Sequence, residues 1–362
     1  LSKLYNNNPV KIKFPESFGS LPKLEILKVS SIEIQNIETC LSNLLSLESL
    51  SIYESNIPLI PASIGKSTKL IELNLNNNQI NKLPNEINKL VALKELNIEN
   101  NNLLTLPDIS NLTELKKLNL SNNKLSSIPA SIGKNTAIET LHLDNNDLIS
   151  IPEEISNITY LTELRLSNNK LKILPNNLGK CLVLNTMYAN DNLLESIPNS
   201  ISECRKLNKL DLSNNNLRSL NLNSSKLNEL EYIDISFNKI SELPVGIGKT
   251  QNLNASFNMI KELPQDLLDS KTINVLNLSN NQITSFEKEF QGWSNLTSLN
   301  LSNNKIISLK NIPLIKTKIN IAAYNSEFKI TNNPIAEIPK TFNEWLRKRK
   351  YGSSYAVYKI VN

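Results

Sequence analysis

Residues 161–175, LTELRLSNNKLKILP, decide the fold, because the same pattern of letters recurs along the chain. It returns as LIELNLNNNQINKLP at 70–84, LKKLNLSNNKLSSIP at 115–129 and INVLNLSNNQITSF at 273–286. The shared pattern is L-x-x-L-x-L-x-x-N-x-(L/I)-x-x-(L/I)-P. Self-similarity of this kind predicts a repeat solenoid, in which each unit stacks on the next and only the stack buries a continuous core.

The asparagine of the pattern marks the repeats along the chain. Ile32 and Ser55 occupy its position in two degenerate upstream units, so about fourteen repeats are recognisable, and residues 1–15 resemble the remains of another. The marker asparagines are Asn78, Asn101, Asn123, Asn146, Asn169, Asn192, Asn215, Asn238, Asn258, Asn281, Asn304 and Asn333.

The spacing of these asparagines is 23 residues with three departures, of 22, 20 and 29 residues. The short spacing, between Asn238 and Asn258, predicts a shortened outer segment. The long one, between Asn304 and Asn333, predicts an irregular insertion near residues 305–329. Insertions in repeat proteins map to loops on one face, which is often the binding face.

Each part of the unit has a physical reason. The L-x-L core predicts a very short strand with apolar residues inward and polar residues outward. The asparagine turns the chain, and its amide can satisfy backbone groups that the bend leaves unpaired. The proline then starts an outer segment, where letters such as I-G-K predict a helical or 3₁₀ turn. The predicted fold class is therefore an α/β solenoid with a parallel sheet on its concave side.

The end of the chain differs from the repeats. Phe342 and Trp345 at helical spacing, followed by the basic run 347–350, predict a helix that covers the end of the core. The predicted organisation is a solenoid over residues 1–339 and a capping helix with a tail over 340–362.

Composition excludes several functions. The net charge of +5 on a chain with 20% charged residues is too dilute to indicate a nucleic-acid interface. One His and eight Gly argue against a zinc site and a phosphate loop, and the Gly246–Thr250 segment GIGKT matches a recurring repeat position instead. No apolar stretch is long enough to cross a membrane. No residues form a catalytic constellation, so we expect a protein that is not an enzyme and has no cofactor or metal.

Cys181 and Cys204 lie 23 residues apart, in a position held elsewhere by Leu90 and Ile158. They are predicted to be small buried hydrophobic residues, with a disulfide as the alternative in an oxidising compartment. Three cysteines without terminal clusters favour an intracellular location. A cell-surface or secreted location is the alternative.

The pattern resembles the leucine-rich-repeat family along essentially the whole chain. Within it, the 23-residue unit with L-P-x-x-I-G resembles intracellular Ras-group repeats and bacterial repeats of the same kind. The resemblance implies protein–protein recognition on the concave face without intrinsic catalysis. We therefore expect a protein partner, with the chain monomeric on its own or part of a larger complex.

The residues that the repeat does not need are the candidates for binding. At the outward position between the second and third apolar residues, most units carry Asn or other polar residues, whereas five consecutive units place an aromatic residue between basic and acidic ones. Two further groups are outward aromatics and the phenylalanines of two S-F-N turns, which either pack together or meet a partner. The predicted partner-binding residues are His142, Arg165, Tyr188, Asp211, Tyr232, Asp234, Phe237 and Phe257.

Two hypotheses of different class follow. The first is an interaction scaffold that binds a protein partner through these residues. The second is a structural or cell-surface component that is engaged through its ends and through the 305–329 insertion.

Overall fold

The computed structural model describes residues 10–12, 21–34, 36–223, 226–286, 292–309 and 328–336. The chain forms two compact units, Leu1–Leu184 and Asn185–Asn362, called unit 1 and unit 2 below. Each unit is built of stacked repeats around a parallel sheet.

Among the described residues of unit 1, seven strands form one parallel sheet in the order β2-β4-β5-β6-β7-β8-β9, and β1 pairs with β3 beside it. The short α1 runs from Ile37 to Leu41. The strands are β1 Val10–Ile12, β2 Ile26–Ser30, β3 Ile32–Ile34, β4 Ser49–Tyr53, β5 Glu72–Asn74, β6 Glu95–Asn97, β7 Lys117–Asn119, β8 Thr140–His142 and β9 Glu163–Arg165.

The described residues of unit 2 also give seven parallel strands, paired in chain order from β10 to β16. The short α2 runs from Gln265 to Leu268. The strands are β10 Thr186–Tyr188, β11 Lys209–Asp211, β12 Tyr232–Asp234, β13 Asn252–Asn254, β14 Val275–Asn277, β15 Ser298–Asn300 and β16 Phe328–Lys329.

The strands are short because the chain turns directly after the two buried apolar residues of the L-x-L core in each repeat. In β11, Leu210 is fully buried, while Lys209 and Asp211 on either side of it are partly exposed. Successive side chains of a strand point to opposite faces, so one face of each sheet builds the core and the other faces solvent. We call the solvent-facing side the outward face.

The repeated asparagines form the ladder that the sequence predicts. Asn146 is typical: its Oδ1 accepts from the backbone N–H of Leu125 at 3.0 Å, in the preceding repeat. Its Nδ2 donates to the carbonyls of Leu120, Leu143 and Asp144 at 3.0–3.2 Å. One buried amide thus satisfies four backbone groups and ties two repeats together.

The outer segments are mostly 3₁₀ turns preceded by an extended proline, as in Ala130–Lys134 after Pro129. Proline suits this site because it has no N–H and its φ is fixed near the required value. The other 3₁₀ turns are Ala62–Lys66, Asn85–Lys89, Glu153–Asn157, Leu178–Lys180, Asn199–Glu203 and Ile247–Lys249.

Two glycines, Gly246 and Gly248, allow the tight outer turn of the short repeat between Asn238 and Asn258. Gly246 has φ of 91°, and the N–H groups of Gly246 and Gly248 donate to Asp266 Oδ2 at 2.8 and 2.9 Å. A Cβ on Gly248 would lie 2.1 Å from the Asp266 carbonyl oxygen. The GIGKT segment is therefore packed against the next repeat, and the N–H groups of its two glycines are already used by a carboxylate.

The structure confirms the predicted fold class, the parallel strands, the 3₁₀ outer turns and the buried free thiols of Cys181 and Cys204. The ladder also continues past the long spacing, since Asn333 Nδ2 donates to the Leu301 carbonyl at 2.9 Å. The predicted capping helix and tail at 340–362, most of the remnant at 1–15 and residues 310–327 of the insertion lie outside the described residues.

Candidate partner-binding site

Six of the predicted residues lie in unit 2, and strand register places four of them, Tyr188, Asp211, Tyr232 and Asp234. Tyr188 is opposite Asp211, which is opposite Asp234, and Asp234 is opposite Asn254. A second outward row, two residues earlier in each strand, contains Lys209 opposite Tyr232. Neighbouring strands lie about 4.8 Å apart, so these side chains are lateral neighbours.

The amine of Lys209 lies between two tyrosines. Its Nζ is 4.9 Å from the ring centroid of Tyr188 and 4.9 Å from that of Tyr232, which is the geometry of a cation–π contact on both sides. Burial raises the pKa of Tyr232 to about 12, and the charges of Asp234 and Asp211 add to the effect. The Tyr–Lys–Tyr cluster is therefore a preordered surface with a cation held between two rings.

Asp211 and Asp234 form a pair of carboxylates on adjacent strands. Ser213 donates to Asp211 Oδ1 through its N–H at 3.0 Å and its hydroxyl at 2.7 Å, and Ser236 does the same for Asp234 at 2.9 and 2.6 Å. Asn254 Nδ2 donates to Asp234 Oδ2 at 2.8 Å. Within the described part of the chain, neither carboxylate forms a salt bridge.

The environment of Asp211 raises the pKa of its carboxyl group. Burial raises the pKa of Asp211, the negative charges of Asp234 and Asp191 raise it further, and the hydrogen bonds from Ser213 oppose the shift. Like charges directly opposite each other on paired strands are destabilising. The carboxylate pair is thus a feature that the fold tolerates and does not need.

We expect Asp211→Asn to raise stability at pH 7 by about 0.5 kcal/mol, by removing this repulsion. Asparagine at this position accepts the same hydrogen bonds, as Asn277 does from the N–H and hydroxyl of Ser279. Folding raises the pKa of Asp211, so protonated Asp211 favours the folded state. This stabilisation is complete below the unfolded-state pKa near 3.9 and is lost as the pH rises through the folded-state pKa.

The increase in the free energy of unfolding caused by Asp211→Asn should therefore disappear near pH 3. Urea unfolding of both proteins at pH 7 and pH 3 would measure it. Asp147→Asn is the control, because Asp147 is an exposed partner of Lys170 and its removal should give no gain. A loss of stability at pH 7 in Asp211→Asn would contradict the interpretation.

Phe237 and Phe257 occupy a left-handed backbone position. The residue before the ladder asparagine has φ between 53° and 57° in all twelve repeats that carry this asparagine, and ten of the twelve residues are Asn or Asp. Asn and Asp tolerate this conformation, whereas for other residues it costs roughly 1–2 kcal/mol. The two rings stack with centroids 4.2 Å apart and stay 52% and 44% exposed. They pack against each other and also face solvent.

His142 and Arg165 lie opposite each other in unit 1. Arg165 Nε donates to Glu163 Oε1 at 2.5 Å, and His142 Nε2 is 3.5 Å from the same oxygen. Burial and the Arg165 charge lower the pKa of His142. Burial raises the pKa of Asp144, which accepts from the N–H of Ser167 at 2.8 Å. Glu163, on the same strand as Arg165, therefore partly neutralises the charge of Arg165.

Sequence reasoning missed Lys209 and Met259. Lys209 is an ordinary polar residue in the repeat pattern, and only the structure shows that its amine lies 4.9 Å from the ring centroids of both Tyr188 and Tyr232. Met259 directly follows a ladder asparagine and is 47% exposed, at a position where most other repeats carry Lys, Gln, Asn or Asp and one carries Leu193. Comparing each repeat position by position would have found Met259.

Family models identify the repeat. A model described as Leucine Rich Repeat matches residues 69–90, 114–135 and 160–181, and a second, described as Leucine rich repeat, matches residues 248–306. No curated protein matches the sequence significantly. In the described part of the chain, no helix has the length and apolar character needed to cross a bilayer.

Solved structures resemble the chain over most of its length. A leucine-rich-repeat protein of Leptospira interrogans is 27% identical with a TM-score of 0.76, over 95% of this chain and 92% of that one. An internalin of Listeria monocytogenes is 25% identical with a TM-score of 0.67, over 83% and 86%.

The ectodomain of the plant membrane receptor kinase GASSHO1/SCHENGEN3 of Arabidopsis thaliana, solved in complex with CASPARIAN STRIP INTEGRITY FACTOR 2, is 26% identical with a TM-score of 0.69. The match covers 92% of this chain and 44% of that ectodomain. Together with the repeat pattern and the ladder, these matches show that the chain belongs to the leucine-rich-repeat family, whose domains generally mediate protein–protein interaction.

Proposed function

We propose that the chain is a non-catalytic scaffold that binds a protein partner through the outward face of its sheet. The observation that carries the proposal is the Tyr188–Lys209–Tyr232 cluster beside the Asp211–Asp234 pair. These residues replace the plain asparagines that β13, β14 and β15 carry in the row of Tyr188 and Asp211. Aromatic residues at preordered positions are enriched among the side chains that dominate binding energy.

The polar neighbours supply specificity. The carboxylate pair prefers a positively charged partner surface and disfavours an acidic one, and a charged residue of this kind acts on partner choice and association rate. In unit 1, His142 and Arg165 are proposed as partner-contacting residues on the same grounds of chemistry and outward position. Phe237 and Phe257 complete the proposed contact residues of unit 2.

The test is photo-cross-linking. A benzophenone amino acid replaces Thr186 or Asn252, which flank the Tyr–Lys–Tyr cluster on the outward face, or Tyr160, an exposed residue outside the strands. We expect the first two positions to give the same covalent protein adduct in native extract, and the third to give none. An adduct from Tyr160 alone would contradict binding through the outward face.

The test variant combines Tyr188→Asn and Asp211→Asn, because asparagine is the residue that other repeats carry in this row. Tyr160→Asn is the control, since it removes an exposed tyrosine elsewhere. The test variant should weaken partner binding at least about tenfold, since hot-spot residues contribute more than 1 kcal/mol each. The melting temperature should stay within about 2 °C, as expected for surface changes. A loss of fold along with affinity, or an equal loss in Tyr160→Asn, would refute the assignment.

A further inference from the structure

Phe237 and Phe257 are unexplained by the fold. The ladder asparagines beside them, Asn238 and Asn258, make the same hydrogen bonds to the preceding repeat as those in the other units. Ten repeats accomplish the same turn with Asn or Asp, which suit a left-handed backbone. Strain of this kind persists where function requires the side chain, so the two phenylalanines call for a role outside folding.

The two rings form one apolar platform. They are nearly parallel, at an interplanar angle of 10°, and Met259 adds a third exposed apolar side chain two residues after Phe257. At the position of the phenylalanines the other ladder repeats of unit 2 carry Asn or Asp, and at the position of Met259 one of them carries another apolar residue, Leu193. A stacked aromatic pair accepts an apolar side chain or the flat face of a guanidinium group.

The carboxylate pair lies close to this platform. Asp234 precedes Phe237 by three residues in the same repeat, and Asp211 lies opposite Asp234 on the adjacent strand. The chemistry on this part of unit 2 is thus an apolar platform with two carboxylates at one side. An acidic segment or a nucleic acid would bring negative charge to Asp211 and Asp234, which makes both unfavourable occupants.

We propose that the platform of Phe237, Phe257 and Met259, with Asp211 and Asp234, binds an extended segment of a protein partner that carries a bulky apolar residue within three residues of an Arg or Lys. The apolar side chain covers the stacked rings, and the basic side chain pairs with the carboxylates. The inference rests on the proposed function, since it names the partner chemistry that part of the same face recognises.

The experiment is a selection from a displayed library of random dodecapeptides on the full chain, followed by fluorescence anisotropy on the enriched peptides. The baits are the wild type, Phe237→Asn/Phe257→Asn, and Asp211→Asn/Asp234→Asn. Both double variants install residues that other repeats use at the same positions, so the fold is preserved. Val245→Asn is the matched control, because it removes an exposed apolar residue elsewhere in unit 2.

We expect the wild type to enrich peptides that pair an aromatic or large aliphatic residue with Arg or Lys within three positions. Their affinity should fall at least tenfold on each double variant and stay unchanged on Val245→Asn. For Asp211→Asn/Asp234→Asn, affinity should also depend less on salt concentration, because the charge interaction that salt screens has been removed.

Three results would overturn the inference: no enrichment of apolar–basic pairs, equal affinity for the phenylalanine double variant, or self-association of the chain that this variant abolishes. Peptides that lose affinity on Tyr188→Asn but keep it on the phenylalanine variant would refute the inference and leave the scaffold function standing. If the peptides bind all of these variants with unchanged affinity, and no cross-linked adduct forms at Thr186 or Asn252, both the inference and the proposed scaffold function are refuted.

Discussion

Asn146→Ala should lower the free energy of unfolding by about 3–4 kcal/mol. The substitution leaves the N–H of Leu125 unpaired. It also removes one donor each from the carbonyls of Leu120, Leu143 and Asp144, which still accept from Asn123 Nδ2, Asn169 Nδ2 and the Asn122 N–H. An unpaired buried donor costs about 1–3 kcal/mol, and each of the three other lost hydrogen bonds adds about 0.5 kcal/mol or more. The cost falls on both repeats that the amide connects.

The measurement is thermal and urea unfolding with hydrogen exchange read out by peptide. The melting temperature should fall by about 10 °C, and exchange should increase locally in the repeats around residues 120–146, because the stability of a repeat array is a sum of local terms. Asn157→Ala is the control, since Asn157 is an exposed asparagine of an outer turn in the same unit. A change no larger than in this control would show that water replaces the ladder.

Ser55 supports the expected size of the effect. It holds the ladder position in a degenerate repeat, where its hydroxyl donates to the Tyr53 carbonyl at 2.8 Å and accepts from the Ile32 N–H at 3.4 Å. Serine thus reproduces only part of the asparagine's bonding. Asn146→Ser should therefore fall between the wild type and Asn146→Ala in stability.

The periodic features were predictable from the sequence because each position of the repeat has one structural role. Leu210 is buried in the middle of its strand, and Asn215 lies in the ladder, because a 23-residue period fixes both the face and the turn. The buried position of Cys181 followed from Leu90 and Ile158 at the same place in other repeats. In each case a neighbouring repeat supplied the comparison.

The features that break the period were harder to predict. The placement of Lys209 between Tyr188 and Tyr232 depends on lateral packing of side chains, which the repeat pattern does not specify. The left-handed backbone of Phe237 and Phe257 was accessible in principle, because asparagine dominates that position and is the residue most tolerant of it. What the letters could not show is that the two rings stack and remain exposed.

The buried polar residues of the outer core also escaped prediction. Asn135 occupies the position of Leu112 and Ile158, yet its Nδ2 donates to the carbonyls of Ile109 and Leu112, both at 2.9 Å. Ser67 and Ser270 hold the same position and donate to the carbonyls of Leu44 and Gly248. A polar residue is accepted there because the preceding repeat presents carbonyls that can accept a second hydrogen bond.

Trp293 is the largest side chain in this same outer position, where other repeats carry smaller apolar or polar residues, and it is fully buried in unit 2. Its Nε1 donates to the Leu267 carbonyl at 2.8 Å, and its ring meets Phe286 edge to face at 6.4 Å. Its φ of 61° is strained for a bulky residue, so packing must outweigh a local cost.

We expect Trp293→Ala to lower the free energy of unfolding by about 4 kcal/mol, the usual cost of emptying a buried aromatic site, with the Leu267 carbonyl losing its donor as well. Trp293→Phe should cost about half as much, because it fills most of the space and lacks the N–H. Hydrogen exchange should rise around residues 267–299 and stay unchanged in unit 1, since repeats contact only their neighbours. Equal protection in wild type and Trp293→Ala would mean that the indole does not hold these repeats together.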